Sequence, residues 1–349
     1  MIFTLLGTKM SEDIFCRSLP KIELHAHLNG SLSEKTLRKL GCLDESILEY
    51  HKLLNIINKT DRTLDECFEL FKIAQTATSS KNSVYLATQS VIEEFAQDNV
   101  IYLELRTTPR AENDMTKQEY IESVLKGIKD SKSDIIVKLI LSIDRRHDKV
   151  CSEDSLDVIV KMREEYPGII KGIDLSGNPY VGGFDECLFS KAREHGLRTT
   201  IHCAEIPNDN EVQQILNFHP ERIGHATSIH PDFGGSKENW QLYCKAKIPA
   251  EFCLTSNVVC GTSKCYAEHH IQQWMKNDLP FSINTDDKGV FCTSLSKEYE
   301  HVLNNFDLSK ADLWNITYNA IDHCFASTEE IILLKKKMAE WKETHAQYF

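Results

Sequence analysis

Residues 135–144 read "IIVKLILSID", residues 155–167 read "SLDVIVKMREEYP", and residues 168–177 read "GIIKGIDLSG". The outer two are short runs rich in β-branched residues that end on polar ones, and the middle segment has apolar positions at helical spacing. Strand, helix, strand in so short a span is a parallel βαβ unit. Working outward, the strand pattern recurs in "KIELHAH" from 21, "IYLELR" from 101, "LRTTIHCAE" from 197, "ERIGHAT" from 221, "PAEFCLTSN" from 249 and "LPFSINTDD" from 279. Amphipathic segments separate most of these runs, as in "DECLFSKAREHG" from 185, which closes on a glycine. Eight such repeats predict an α/β fold of the (β/α)8 TIM-barrel type. The competing open doubly wound sheet usually carries a glycine-rich phosphate loop, and neither G-x-G-x-x-G nor G-x-x-x-x-G-K-[ST] occurs.

One long interval interrupts the rhythm. Between the first two strands, helical patterns fall at 32–40, 44–58, 63–77 and 83–98, so an insertion of about 32–98 is expected over the C-terminal mouth of the barrel. "SLSE" at 31–34 reads as a capping box with Ser31 at the cap. Beyond Asp287 only helical patterns follow, which predicts extra helices at the C-terminus. The domain reading is an N-terminal tail over 1–19 and one barrel over 20–349.

With 349 residues, 41% of them apolar, the chain has enough core to fold unaided. Its formal charge of −12 argues against general binding to nucleic acid or to an anionic membrane. "MIFTLLG" is too short for a signal h-region, and no apolar stretch approaches membrane-spanning length. The 12 cysteines are scattered with no C-x-x-C, which suits reduced thiols in the cytosol.

Polar residues gather where the strands end. His25 and His27 close the first run, His202 and Glu205 the fifth, His225 the sixth, and Asp286 and Asp287 the eighth. Two histidines two residues apart on a strand face the same side and can share one ion. An H-x-H alone more often marks a hydrogen-bonded core. With His202 and a carboxylate on other strands of one barrel, a metal site is the better reading. Three nitrogens and a carboxylate oxygen suit zinc, and Fe(II), Co or Mn share the ligand preference. Glu205, His225 and Asp287 are the candidate acids and bases for a hydrolysis at that metal.

Five motifs, "ELHAHLNGS", "GIDLSGNP", "IHCAEIPN", "RIGHAT" and "INTDDKGVF", run in order from residue 21 to about residue 292. Together they resemble the adenosine/AMP deaminase family of the amidohydrolase superfamily. "TTPR" at 107–110, "SIDRR" at 142–146 and "DDKGVF" are most similar to its N6-methyl-AMP deaminase branch. The resemblance implies one zinc per chain on His25, His27, His202 and Asp286. It also implies Glu205 as the acid that protonates purine N1, and His225 as the residue that orients or deprotonates the attacking water. Asp287 would hydrogen-bond that water and purine N7, and Gly177 would offer a backbone N–H to the base. The H-x-E…P-C-x-x-C signature of cytidine-type editing deaminases is absent.

The substrate expected from the branch is a purine nucleoside monophosphate, N6-methyl-AMP, converted with water to IMP and methylamine by a monomeric enzyme. Where nucleoside deaminases of the family commonly read "HLDG", this chain reads "HLNG", and a neutral Asn29 does not repel a 5′-phosphate. His27, Thr107, Thr108, Pro109, Arg110 and Asp144 complete the expected substrate contacts, with Arg110 either a phosphate ligand or a surface charge. Gln75 stands where some branch members have a substrate-contacting histidine. Lys288 either helps hold a phosphate or neutralises charge beside the two aspartates. Adenosine deamination is the main alternative activity. A two-metal hydrolase of the same barrel usually needs a lysine at the end of strand four, where this chain has "DLSG". An inactive nucleotide-binding relative would be expected to have lost a ligand or Glu205, and every such position is filled.

Overall fold

The computed structural model describes residues 13–42, 55–59 and 62–349. Eight strands lie parallel in sequence order: β1 Lys21–His27, β2 Val100–Thr107, β3 Ile136–Asp144, β4 Ile170–Ser176, β5 Arg198–Cys203, β6 Arg222–His225, β7 Ala250–Phe252 and β8 Phe281–Ile283. The barrel closes between β8 and β1. There His27 N–H donates to the Asp286 carbonyl at 3.0 Å and Asp286 N–H to the His25 carbonyl at 2.8 Å. Side chains complete that seam: Asn284 Oδ1 accepts from Leu24 N–H at 3.0 Å, and Glu23 accepts from both the amide and the hydroxyl of Thr285. The expected (β/α)8 barrel is the fold observed.

The near-continuous apolar runs follow from burial on both faces, since helices cover the outside while inward residues fill the lumen. The lumen here is charged. Glu104 and Arg106 from β2, Asp174 from β4, Arg222 from β6 and Glu251 from β7 are all buried. Glu251 accepts from Arg106 Nη2 at 2.8 Å and Arg222 Nε at 2.6 Å, while Arg222 Nη2 also pairs with Glu104. Buried charges persist only where they are paired and hydrogen-bonded in this way.

Several local expectations change. "PAEFCLTSN" supplies a strand only as far as Phe252, and Leu254–Val259 turns helical. The helix at Glu34–Lys39 is capped by Ser33, whose hydroxyl accepts from Thr36 N–H at 3.2 Å, so Ser31 is not the cap. Within the expected insertion, Lys81–Gln97 packs on β2 and on the helix Lys117–Asp130, and so serves as the ordinary crossover helix of the barrel. Leu64–Ala77 is helical as the pattern suggested, whereas 44–54 of the expected 44–58 helix lies outside the described residues. Of the expected tail 1–19, residues 1–12 lie outside the described residues. Residues 13–18 are helical, and Phe15, Cys16 and Leu19 are buried in the core. The packed body therefore begins before residue 20, because these apolar side chains have a core to enter. Among the described residues no helix is long and apolar enough to cross a membrane, and no cysteine is disulfide-bonded.

Candidate active site

The C-terminal ends of β1, β5, β6 and β8 place His25, His27, His202, His225 and Asp286 around one point. His25, His202, His225 and Asp286 each offer a ligand atom within 4.8 Å of the others. His27, outside that group of four, has its Nε2 3.3 Å from His202 Nε2 and 3.3 Å from Asp286 Oδ1. His25 Nε2 lies 3.4 Å from Asp286 Oδ1, and His225 Nε2 lies 3.9 Å from Asp286 Oδ2. A tetrahedral zinc with bonds of about 2.0–2.1 Å has ligand-to-ligand edges of about 3.3–3.4 Å. The His25–Asp286, His27–Asp286 and His27–His202 contacts have that length, and His225 lies farther from Asp286.

The supporting residues fit a metal as well. Glu251 Oε2 holds His25 Nδ1 at 2.8 Å and Asp174 Oδ1 holds His202 Nδ1 at 2.9 Å, which directs both Nε2 atoms into the pocket. His25 Nε2 is buried without a hydrogen-bond partner, an atom that a cation would satisfy. Burial moves the His27 imidazole down to about 3, so it is neutral as a ligand must be. Asp286 also accepts from Ser256 Oγ at 2.8 Å.

The backbone here is unusual. Ala204, His225, Ala226 and Asp286, none of them glycine, have φ near +60°, at 58°, 60°, 58° and 58°. Such left-handed residues cost roughly 1–3 kcal/mol each and persist where the surroundings over-determine them. At the ends of β5, β6 and β8 they turn the chain so that consecutive side chains aim at one centre. Asp287 is buried directly over Gly30, where an added Cβ would fall 1.6 Å from Asp287 Oδ1. The glycine of "HLNG" thus makes room for the carboxylate.

Glu205 has one buried oxygen, Oε1, without a partner, and its Oε2 lies 4.0 Å from His225 Nε2. Burial, and then the Asp286 charge against the relief of His202, holds its carboxyl above the usual range. Burial followed by the adjacent Asp286 pushes Asp287 well above it.

The expected substrate residues separate into two groups. Around the ends of β1 and β2, Thr107 Oγ1 meets Tyr120 OH at 2.7 Å, and Tyr120 OH donates to Asn29 Oδ1 at 3.4 Å. Arg110 Nη2 donates to the carbonyl and hydroxyl of Thr78, each at 2.7 Å, and its Nε to Glu112 at 3.0 Å. Thr108 is half-buried beside a buried Pro109. Gln75 contributes only its carbonyl, 3.2 Å from Arg110 Nη2, and its side chain is exposed. The second group is at the ends of β3 and β4. Asp144 takes up Arg146 through both oxygens, and Gly177, with φ +107°, packs so near Asp144 that a Cβ would lie 2.5 Å from its Oδ1. Lys288 does not pair with the aspartates before it; its Nζ donates to Glu94 at 2.6 Å, over the Phe95 ring.

The supporting residues Asp174, Glu251, Ser256 and Asn257 were not singled out from the sequence. The signal for the first two was a charged residue at an inward position of an otherwise apolar strand.

Comparisons with known proteins identify the family. The family model described as adenosine deaminase matches residues 20–341. The N6-methyl-AMP deaminase of Homo sapiens is 42% identical over 336 residues, spanning 93% of this chain and 93% of that protein. The N6-methyl-AMP deaminase of Danio rerio is 41% identical over 343 residues, spanning 95% and 97%. Arabidopsis ADAL, solved in complex with IMP, superposes with a TM-score of 0.85 at 36% identity, covering 95% of this chain and 99% of that one. This chain therefore belongs to the adenosine deaminase family, a group of metal-dependent hydrolytic deaminases.

Proposed function

We propose that this chain hydrolyses N6-methyl-AMP to IMP and methylamine, with one zinc ion held by His25, His27, His202 and Asp286. The observation that carries the reading is the convergence of these three histidines and Asp286 with Glu205, whose buried Oε1 has no partner in the protein. A zinc ion bound there supplies hydroxide at neutral pH by lowering the pKa of water to about 7.

The remaining chemistry belongs to the side chains. Glu205, whose carboxyl burial holds above the usual range, is the acid that donates to purine N1, which draws electron density from C6 and prepares it for attack. His225 faces the same point from β6 and holds the attacking water. Asp287, buried beside Asp286 and over Gly30, receives a proton from that water, and its O–H then donates to N7. Gly177 offers its N–H to the base. As the C6 tetrahedral adduct collapses, Asp287 passes its proton to the leaving amine and the C6 hydroxyl proton returns to Glu205, giving methylamine and IMP.

The phosphate is assigned to the first polar group. Asn29 adds no negative charge there, and Arg110, fixed by Thr78, supplies the cation, with Thr107, Thr108 and Pro109 shaping the wall. The solved relatives bound to IMP and GMP support a nucleotide over a free nucleoside. Asp144 serves on the opposite side. The Gln75 side chain would have to turn inward to touch substrate. We take the barrel to act as a cytosolic monomer.

Side-by-side assays of N6-methyl-AMP, AMP and adenosine test the reading, and a preference for adenosine would overturn the phosphate assignment. Glu205→Gln should abolish turnover with bound zinc still near one per chain; retained activity, or two metals per chain, refutes the scheme.

A further inference from the structure

The loop between β7 and β8 contains adjacent histidines, His269 and His270, both fully buried and neither used by the reaction as described. Their hydrogen bonds have a direction that can be read from one end. The backbone N–H of Ile271 lies 3.1 Å from His269 Nδ1, and a backbone amide can only donate. His269 Nδ1 is therefore an acceptor, and in a neutral ring the proton is on Nε2. Burial, then the neighbouring His270, holds the His269 pKa well below the usual value, which keeps that ring neutral.

His269 Nε2 lies 3.0 Å from Asn257 Oδ1 and so donates to it. That bond sets which way round the Asn257 amide stands. Its NH2 then faces the Thr262 hydroxyl at 3.1 Å and His225 Nδ1 at 3.5 Å, and an NH2 can only donate. His225 Nδ1 becomes an acceptor, leaving the proton on Nε2, the atom that faces Glu205 and Asp286. His270 holds the same residue by its backbone, with Nε2 donating to the His225 carbonyl at 2.8 Å.

We infer that Asn257 and His269 are positioning residues that fix His225 as its Nε2–H tautomer, so that His225 donates a hydrogen bond to the attacking water and does not remove its proton. The inference rests on the proposed deaminase reading for its consequence: the water proton goes to a carboxylate facing the pocket. The tautomer itself does not depend on the substrate.

Long-range 1H–15N NMR on the zinc-loaded protein should show His225 protonated at Nε2; protonation at Nδ1 overturns the inference. A carboxylate at 257 can only accept, so Asn257→Asp should move the proton to Nδ1. Its kcat should fall by about 10²-fold or more, with KM and zinc content close to wild type. Wild-type kcat in a zinc-loaded Asn257→Asp protein overturns the inference. Should that variant not fold, a second pair decides. His269→Gln keeps a donor and should retain most of kcat, whereas His269→Phe should lose about tenfold, the worth of one buried hydrogen bond. Equal loss in both overturns the inference. If the wild-type protein turns over no purine at all, the functional reading fails while the NMR result still decides the relay.

Discussion

Asp174→Asn separates a charge from a shape. Asp174 is fully buried on β4, with Oδ1 2.9 Å from His202 Nδ1 and 3.5 Å from Arg106 Nη1, and with Oδ2 accepting from Ser142 at 3.0 Å. Burial alone would raise its pKa, but His202 and Arg106 hold it well below the usual range, so it is charged. An asparagine keeps an oxygen for the His202 N–H and loses the charge that makes the opposite nitrogen a strong ligand. Losing such a carboxylate partner costs about 10–100-fold in metal affinity, or about 1.4–2.7 kcal/mol. The upper part of that range is expected, because Asp174 is fully buried and its charge acts on His202 with little solvent screening. Arg106 keeps Glu251 at 2.8 Å, so the fold should survive with a stability loss of about 3 kcal/mol, the low end for breaking a buried pair. Competition with a chromophoric chelator measures the affinity, and urea unfolding measures the stability. Unchanged zinc affinity would refute the assignment of His202 as a ligand supported by Asp174.

Three further outcomes follow from the geometry. Gly30→Ala puts a methyl group where Asp287 Oδ1 now lies, 1.6 Å from the added Cβ, so kcat should fall about 10²-fold while bound zinc stays constant; near-normal kcat would show that Asp287 has room to shift. Lys288→Ala leaves the half-buried Glu94 without its cation and should cost about 1 kcal/mol of stability with no change in KM for N6-methyl-AMP; a raised KM would restore Lys288 as a phosphate contact. Glu298 is buried, which raises its pKa from 4.5 to about 7 against the bonds from Thr255 and Thr293. Between those values the native state holds a proton the unfolded state has lost, so stability falls as pH rises, by up to about 3 kcal/mol from this group. Glu298→Gln should therefore gain on wild type from about pH 5 to about pH 8 in denaturant unfolding, and a difference flat in pH would contradict the shift.

Much of the molecule was legible because its signals are local. Each strand announces itself by a short β-branched run, and histidines or carboxylates at the ends of β1, β5, β6 and β8 stand at the one face of a barrel where side chains can converge. The motifs around His25, His202 and Asp286 carried the family resemblance for the same reason. Boundaries were less legible: the apolar pattern of "CLTSN" suits a strand or a helix, and only its position after β7 makes Leu254–Val259 helical. Arg110 and Asp144 were ambiguous in sequence: Thr78 as a partner of Arg110 became visible only in the fold, which also selected Arg146 for Asp144 from the neighbouring arginines.

The order of elements and the polar residues that close the strands thus belong to the sequence itself, since periodicity and residue chemistry act over a few neighbours. What the tertiary structure alone decided is which charges meet. Lys288 reaches Glu94 across 194 residues, and Glu251 joins Arg106, Arg222 and His25 from three other strands. The direction of the relay from His269 to His225 is of the same kind. Barrel closure brings inward residues of distant strands into one layer, and burial then requires every charge and every donor there to find a partner, a condition no local stretch of sequence contains.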